Sequence, residues 1–236
     1  DATEILPGGA GNAANNVASL GGVVAQMDHH LAAVTTRISV NGDLPGFDRY
    51  DDVVAGGAVP DLPGQHEGGW MFYSSGTSGK PKGILPPLLD VDLGAASFLT
   101  RLLTGLFAFT KDTVYLSPAP LYHAAPAGWT IGTQRLGGTA IVMEQFDPLE
   151  LLAAIERHRV THVQLVPTHM IRLLRLSEEE RSRFDLSSLQ LVVHAAAPCP
   201  VEVKQACLDW LGPIVHEFYS GSEGAGFCYI GPEEWL

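Results

Sequence analysis

The chain has 236 residues, with 14 Lys and Arg against 26 Asp and Glu, a formal charge of −12 at pH 7; with no basic stripe to release counterions from phosphates, nucleic acid is excluded as a main partner. Apolar residues make up 46% and charged ones 17%, enough for a sizeable core, yet no apolar run approaches the roughly 18 residues of a membrane span. Cys199, Cys207 and Cys228 form neither a CxxC pair nor an even disulfide set, which excludes disulfide scaffolds and zinc ribbons and points to a reducing, cytoplasmic setting.

In chain order, Asp1 to Gly9 offers neither the basic start nor the apolar core of an export signal. Residues 7–21 read Pro-Gly-Gly-Ala-Gly-Asn-Ala-Ala-Asn-Asn-Val-Ala-Ser-Leu-Gly. This run resembles the first signature of ribokinase-like sugar kinases, and reads equally as a Gly/Ala/Asn-rich disordered or helical leader. The Gly-Ala-Gly-Asp segment such kinases need occurs nowhere in the chain. Residues 1–34 are therefore expected to be a foreign leader without kinase activity. A connecting segment, 35–69, follows; within it residues 56–69 are half Gly or Pro, a composition for a linker or long surface loop.

From residue 70 onward short apolar runs alternate with helical periods. Ala140 to Met143 reads as a strand, and Asp147-Pro148 opens a helix with Glu150 in its first turn. His162 to Val166 is the next strand, followed by a helix from Thr168 and a capping-box start at Ser177 with Glu180. Leu189 to Val193 reads as a buried strand, Val203, Cys207, Trp210 and Leu211 as one face of a helix, and Ile214 to Tyr219 as another strand. Strands separated by helices imply crossover units, so the expected fold class is α/β, a layered, mostly parallel sheet with flanking helices.

The chemistry concentrates in Tyr73-Ser74-Ser75-Gly76-Thr77-Ser78-Gly79-Lys80-Pro81-Lys82-Gly83. Its glycines let the backbone turn and expose N–H groups, its hydroxyls add donors, and its two lysines supply charge, a combination suited to a polyphosphate. It is not the common P-loop, because Ser74 and Pro81 stand where that pattern needs Gly and Ser or Thr. The duller reading, a Gly-Ser turn between two strands, accounts poorly for eleven residues in this order.

This segment resembles the signature of the adenylate-forming, AMP-binding superfamily, which includes acyl-CoA synthetases, peptide-synthetase adenylation domains and luciferases. Four further segments are similar to that family's motifs. They are Pro120-Leu121-Tyr122-His123; Val166-Pro167-Thr168-His169-Met170; Asp185 to Leu189 leading into His194-Ala195-Ala196-Ala197-Pro198; and Glu217-Phe218-Tyr219-Ser220-Gly221-Ser222-Glu223-Gly224. The resemblance covers residues 70–236 and, more weakly, Gly42 to Ala55, and it is closest to fatty-acyl-CoA synthetases. It implies a fragment of the large N-terminal domain of an adenylate-forming enzyme that uses ATP, Mg²⁺, a carboxylic acid such as a fatty acid, and coenzyme A.

By the same resemblance, Ser75, Gly76, Thr77, Ser78, Gly79 and Lys80 would cradle phosphates, with Thr77, Ser78 and Lys82 on the β- and γ-phosphates. Ser222 would bond near the α-phosphate, Gly221 would let the backbone approach, and Glu223 would hold Mg²⁺, directly or through water, as a hard cation prefers. Tyr219 would offer a flat face to adenine, with Ala196 and Ala197 presenting backbone beside the base. His123 would lie near the carboxylate, or simply fill a loop. Ser220 and Ala195 stand where the family commonly has Gly. Its Thr-Gly-Asp segment, Arg-Asp hinge and C-terminal Lys do not occur by residue 236.

Other readings are weaker. His158 and His162 are spaced like helical metal ligands, but a strand starting near Thr161 breaks the shared face. His66-Glu67 and His216-Glu217 lack the second His of a zinc protease, and Ser222 misses the nucleophile elbow by one residue. A catalytically silent nucleotide-binding remnant or interaction module, and third a sugar kinase, stand as alternatives to the ligase.

Overall fold

A computed structural model describes residues 36–40, 42–56, 66–74, 82–88, 90–222 and 226–235, which fall into two units, residues 1–93 and 94–236. The stretch that resembles a sugar-kinase signature, and the whole of the expected leader, residues 1–34, lie outside the described residues.

In the first unit β1 (Ile38–Ser39) pairs in parallel with β2 (Asp48–Arg49), and α1 (Tyr50–Ala55) follows directly. Asp51 and Asp52 occupy the first turn of α1, where negative charge complements the exposed N–H groups. Of the Gly/Pro-rich stretch, Gly56 caps α1 and His66 makes a single bridge to Asp92, while residues 57–65 are not described. β3 (Phe72–Ser74) and β4 (Lys82–Ile84) pair antiparallel, with Tyr73 opposite Gly83 and Ser74 opposite Lys82. Residues 75–81, outside the described residues, thus join the two strands of a hairpin.

The second unit is a six-stranded sheet in the order β10-β9-β8-β7-β5-β6. After α2 (Phe98–Leu106), the chain alternates β5 (Val114–Ser117), α3 (Ala124–Arg135), β6 (Thr139–Val142), α4 (Pro148–His158) and β7 (His162–Leu165). Then come α5 (Pro167–Leu174), α6 (Glu178–Arg181), β8 (Leu191–His194), α7 (Val201–Leu211), β9 (Val215–Ser220), β10 (Phe227–Ile230) and α8 (Pro232–Trp235). β5 to β9 are parallel, and β10 closes the edge antiparallel to β9.

Local chemistry explains the helix ends. The Asp147 carboxylate accepts the N–H groups of Leu149 and Glu150 at 2.9 and 3.0 Å, and Pro148 sits where no N–H is needed. Arg159 ends the same helix in the left-handed region at φ 52°. The Ser177 and Glu180 capping box forms as expected, at 3.2 Å and 2.8 Å, yet its helix is only four residues long. α5 begins one residue earlier than the sequence implied, at Pro167. β8 begins two residues later, because Leu189 donates to Leu186 and closes a turn first.

Period-two alternation sends neighbouring strand residues to opposite faces. Leu116, Val163, Leu165, Val192 and Val215 pack with Leu151, Leu152 and Ile155 of α4, Met170 and Leu173 of α5, and Cys207 and Leu208 of α7. Tyr115, Leu191 and Val193 face the other way, onto Leu103 of α2, Trp129 of α3, Phe107 and Phe109. The sheet is therefore covered on both faces, which is why its strands read as continuous apolar runs. Cys199, Cys207 and Cys228 are free thiols, and among the described residues no helix is long and apolar enough to cross a membrane.

Candidate active site

Because β5, β7, β8 and β9 are parallel members of one sheet, their C-terminal ends share one edge. The chain steps from β5 out to β6 and then back past β5 to β7, β8 and β9, so its direction of travel reverses between β5 and β7. Open parallel sheets bind ligands outside the carboxyl ends of their strands at such a switch point. All four motif segments that follow strands in this unit emerge there. Pro120 to His123 follows β5, Val166 to Met170 follows β7, Ala195 to Pro198 follows β8, and Gly221-Ser222 follows β9.

His123 is exposed and serves as the N-cap of α3 through its backbone, its carbonyl accepting from Ala127 at 3.2 Å. Its ring lies 4.5 Å from that of exposed Tyr122. At the start of α5, the His169 ring stacks on Phe146 at 4.1 Å, and the Arg172 guanidinium lies 4.7 Å from the same Phe146 ring. Burial, aided by the Arg172 charge, pushes the His169 imidazole down to about 4, so it is neutral at pH 7.

After β8, Ala195 is buried whereas Ala196 and Ala197 are exposed. Ala196 adopts the left-handed region at φ 75°, which costs about 1–2 kcal/mol for a residue with a Cβ and which surrounding structure must hold in place. On β9, Tyr219 presents its ring to solvent at 78% exposure, opposite Cys228 of β10. Ser220 donates to the Gly226 carbonyl at 2.8 Å, and Gly221 and Ser222 are exposed beyond the strand end.

The edge of the second unit therefore brings together His123, Ala196, Ala197, Tyr219, Gly221 and Ser222. Lys82 stands in the first unit, exposed at the start of β4, at the foot of the hairpin connection. Ser75, Gly76, Thr77, Ser78, Gly79, Lys80 and Glu223 lie outside the described residues. The weak metal pair separates as expected. His158 is exposed at the end of α4, while His162 is buried with Nδ1 2.8 Å from Thr161 Oγ1 and Nε2 3.0 Å from the Phe107 carbonyl. No group of metal-ligating side chains occurs among the described residues.

Beneath the same edge lie three ionisable side chains that the sequence reading did not assign: His194, Lys204 and Glu217. Lys204 Nζ donates to Glu217 Oε2 at 2.7 Å, and His194 Nε2 is 3.6 Å from the same oxygen. One signal was legible: Lys204 precedes Cys207 by three residues and Leu211 by seven, a charge set within an apolar helical stripe.

The sequence matches the family described as AMP-binding enzyme over residues 21–236, a match that begins inside the stretch 1–34 set apart by composition. It is 33% identical over 218 residues to a 4-chlorobenzoate–CoA ligase of Pseudomonas sp. (strain CBS-3), covering 88% of this chain and 40% of that protein. It is 34% identical over 154 residues to the medium/long-chain-fatty-acid–CoA ligase FadD8 of Mycobacterium tuberculosis, covering 65% of this chain and 25% of that one. The fold superposes with TM-score 0.69 on the amide bond synthetase McbA from Marinactinospora thermotolerans, at 24% identity, covering 91% of this chain and 42% of that chain. This chain thus spans well under half the length of these relatives. With its motif segments gathered at the switch-point edge of a mostly parallel sheet and the family match running through all of them, the chain belongs to the adenylate-forming, AMP-binding enzyme family.

Proposed function

We propose that the protein is an ATP-dependent acid–thiol ligase, which activates a carboxylic acid as an acyl adenylate and passes the acyl group to coenzyme A. In the first half-reaction a carboxylate oxygen attacks the α-phosphorus of ATP, the α–β bridging bond breaks, and pyrophosphate leaves. In the second, the thiol sulfur of coenzyme A attacks the adenylate carbonyl carbon, AMP leaves, and the thiol proton is released. Negative charge moves between oxygens in the first step, so catalysis rests on positioning and electrostatic stabilisation. No protein thiol is required, in keeping with three cysteines that form no pattern.

The observation that carries this reading is the convergence of the four strand-following segments on one sheet edge. Exposed Tyr219 offers a stacking face for adenine, and the strained Ala196 turn presents backbone groups beside it. Ser222 follows as the donor toward the α-phosphate, and His123 lies where the acid would enter. Lys82, with Thr77 and Ser78, holds the β- and γ-phosphates; Glu223 supplies the hard oxygen donor that Mg²⁺ prefers. The acid we assign is a fatty acid, in line with the resemblance to fatty-acyl-CoA synthetases and with one relative's name; another relative is named for an aryl acid.

Calorimetric titration of the 236-residue chain with MgATP and AMP, followed by pyrophosphate release with a panel of fatty and aryl acids, tests the proposal. Saturable nucleotide binding that strengthens with Mg²⁺ is expected, with pyrophosphate release that depends on added acid. Lys82→Ala should weaken ATP binding more than AMP binding, and Glu223→Gln should reduce its Mg²⁺ dependence. No nucleotide binding would leave the interaction-module alternative, and phosphorylation of ribose or fructose would establish the sugar kinase.

A further inference from the structure

The end of β8, the first turn of α7 and the middle of β9 each direct one ionisable side chain into a shared interior volume. His194 is 0% exposed and Lys204 1%, while the Glu217 side chain retains 32%. Lys204 Nζ donates to Glu217 Oε2 at 2.7 Å and lies 4.8 Å from the Trp235 ring. His194 Nε2 lies 3.6 Å from that same oxygen, and neither ring nitrogen has a hydrogen-bond partner among the described residues. Burial first, opposed by Glu217 and reinforced by Lys204, holds the His194 imidazole at about 4, hence neutral. Of its two nitrogens, Nε2 is the one that faces an acceptor.

Stability does not account for these charges. Desolvating a buried ion pair costs about as much as the pair returns, and apolar replacements of similar shape are often neutral. Their location is the better guide. His194 immediately precedes the Ala195–Pro198 loop, whose Ala196 sits in the left-handed region at φ 75°, a conformation that persists only where surrounding structure over-determines it. Lys204 lies in the first turn of α7, just after the loop ends at Pro198 to Pro200. Glu217 lies two residues before Tyr219, on the same face of β9. One hydrogen-bonded ion pair thus ties the exit of the loop to the strand that carries Tyr219, with the entry of the loop in van der Waals reach of the same carboxylate.

We propose that Lys204, Glu217 and His194 are positioning residues that fix the Ala195–Pro198 loop relative to Tyr219 and thereby set affinity for the adenine end of the nucleotide. This rests on the assignment of adenine to that edge. The test compares AMP calorimetry and thermal melting of the 236-residue chain in four forms: parent, Tyr219→Ala, the pair variant Lys204→Met/Glu217→Leu, and the isosteric Glu217→Gln. The pair variant removes both charges together, so no lone charge stays buried. Its melting temperature should lie within about 5 °C of the parent, while AMP binds about tenfold more weakly, as it should to Tyr219→Ala. Affinity within twofold of the parent overturns the proposal, and so does a loss accompanied by a melting-temperature drop of more than about 10 °C, since that assigns the cluster to stability. Should the pair variant fail to fold, Glu217→Gln is read by the same two criteria. If Tyr219→Ala weakens AMP binding and the cluster variants do not, the adenine assignment stands and the positioning role falls. If the parent binds no AMP, the adenine assignment falls and the positioning role with it.

Discussion

Buried His162 and His194, with half-buried His169, carry the acid sensitivity of the fold at the residue scale. Burial is the leading cause that holds His162, His169 and His194 at about 4, against about 6.5 for an unfolded histidine. Between these values the unfolded chain binds protons that the folded chain refuses, so stability rises with pH across that window. The contribution is fully present above about pH 6.5 and is lost as the pH falls toward 4. Asp185 lies outside this window: hydrogen bonds from Ser187, then the Arg159 guanidinium, hold its carboxyl at about 2. His162 is the cleanest probe, with one ring nitrogen 3.0 Å from the Phe107 carbonyl and its ring 4.5 Å from Phe109. The melting temperature should fall between pH 7 and pH 5, with His162 alone costing on the order of 2 kcal/mol at the lower value. In His162→Gln the fall should be shallower. An equally steep decline in the variant would show that His162 already binds its proton in the fold.

The helix and strand boundaries that local chemistry dictates are the ones the sequence disclosed at the scale of elements. Asp147-Pro148 states a helix start in two residues, because a carboxylate that accepts two free N–H groups and a proline that needs no partner act within one turn. Asp147→Ala should cost about 1 kcal/mol, lowering the melting temperature by about 2–4 °C in a chain of this size. Differential scanning calorimetry of the variant decides it, and an unchanged midpoint would mean that tertiary packing of Leu151, Leu152 and Ile155 alone sets the helix. Boundaries set by distant partners were less legible. β8 begins at Leu191 and not Leu189, since the Gln190 and Leu191 N–H groups reach the Thr161 carbonyl only after the Leu186 turn closes. The α7 stripe of Val203, Cys207, Trp210 and Leu211 packs in the core as its spacing implies, yet Lys204 beside it is also buried, because Glu217 waits on β9 to receive it.

For the whole molecule, the dominant quantity is the charge of −12 at pH 7 with an isoelectric point near 5.0. Mutual repulsion keeps such chains apart, and it vanishes as carboxylates and histidines take up protons. The same interval removes the stability held by the buried histidines, so colloidal and conformational losses coincide. Static light scattering from pH 8 to 4 at low salt should show an association maximum near pH 5, with recovery on return to pH 8 if exposure is brief. A flat profile would show that the acidic surface does not govern association.

The eleven-residue Ser/Gly/Lys run was legible as a phosphate loop, because phosphate chemistry restricts residue type at fixed local spacing, and its resemblance, with that of the four later segments, to the motifs of adenylate-forming enzymes agrees with the family match. Strand and helix alternation likewise sufficed for a mostly parallel sheet with covered faces, since burial on both sides leaves continuous apolar runs. Tertiary structure alone decided which strand ends share an edge, where the strand order reverses, and that His194, Lys204 and Glu217 meet although residues 194 and 217 are far apart in the chain. It also decided that Ala196, and not Ala195, takes the left-handed conformation in its loop. Those outcomes depend on strand pairing and on desolvation by distant segments, and neither leaves a periodic or local mark in the sequence.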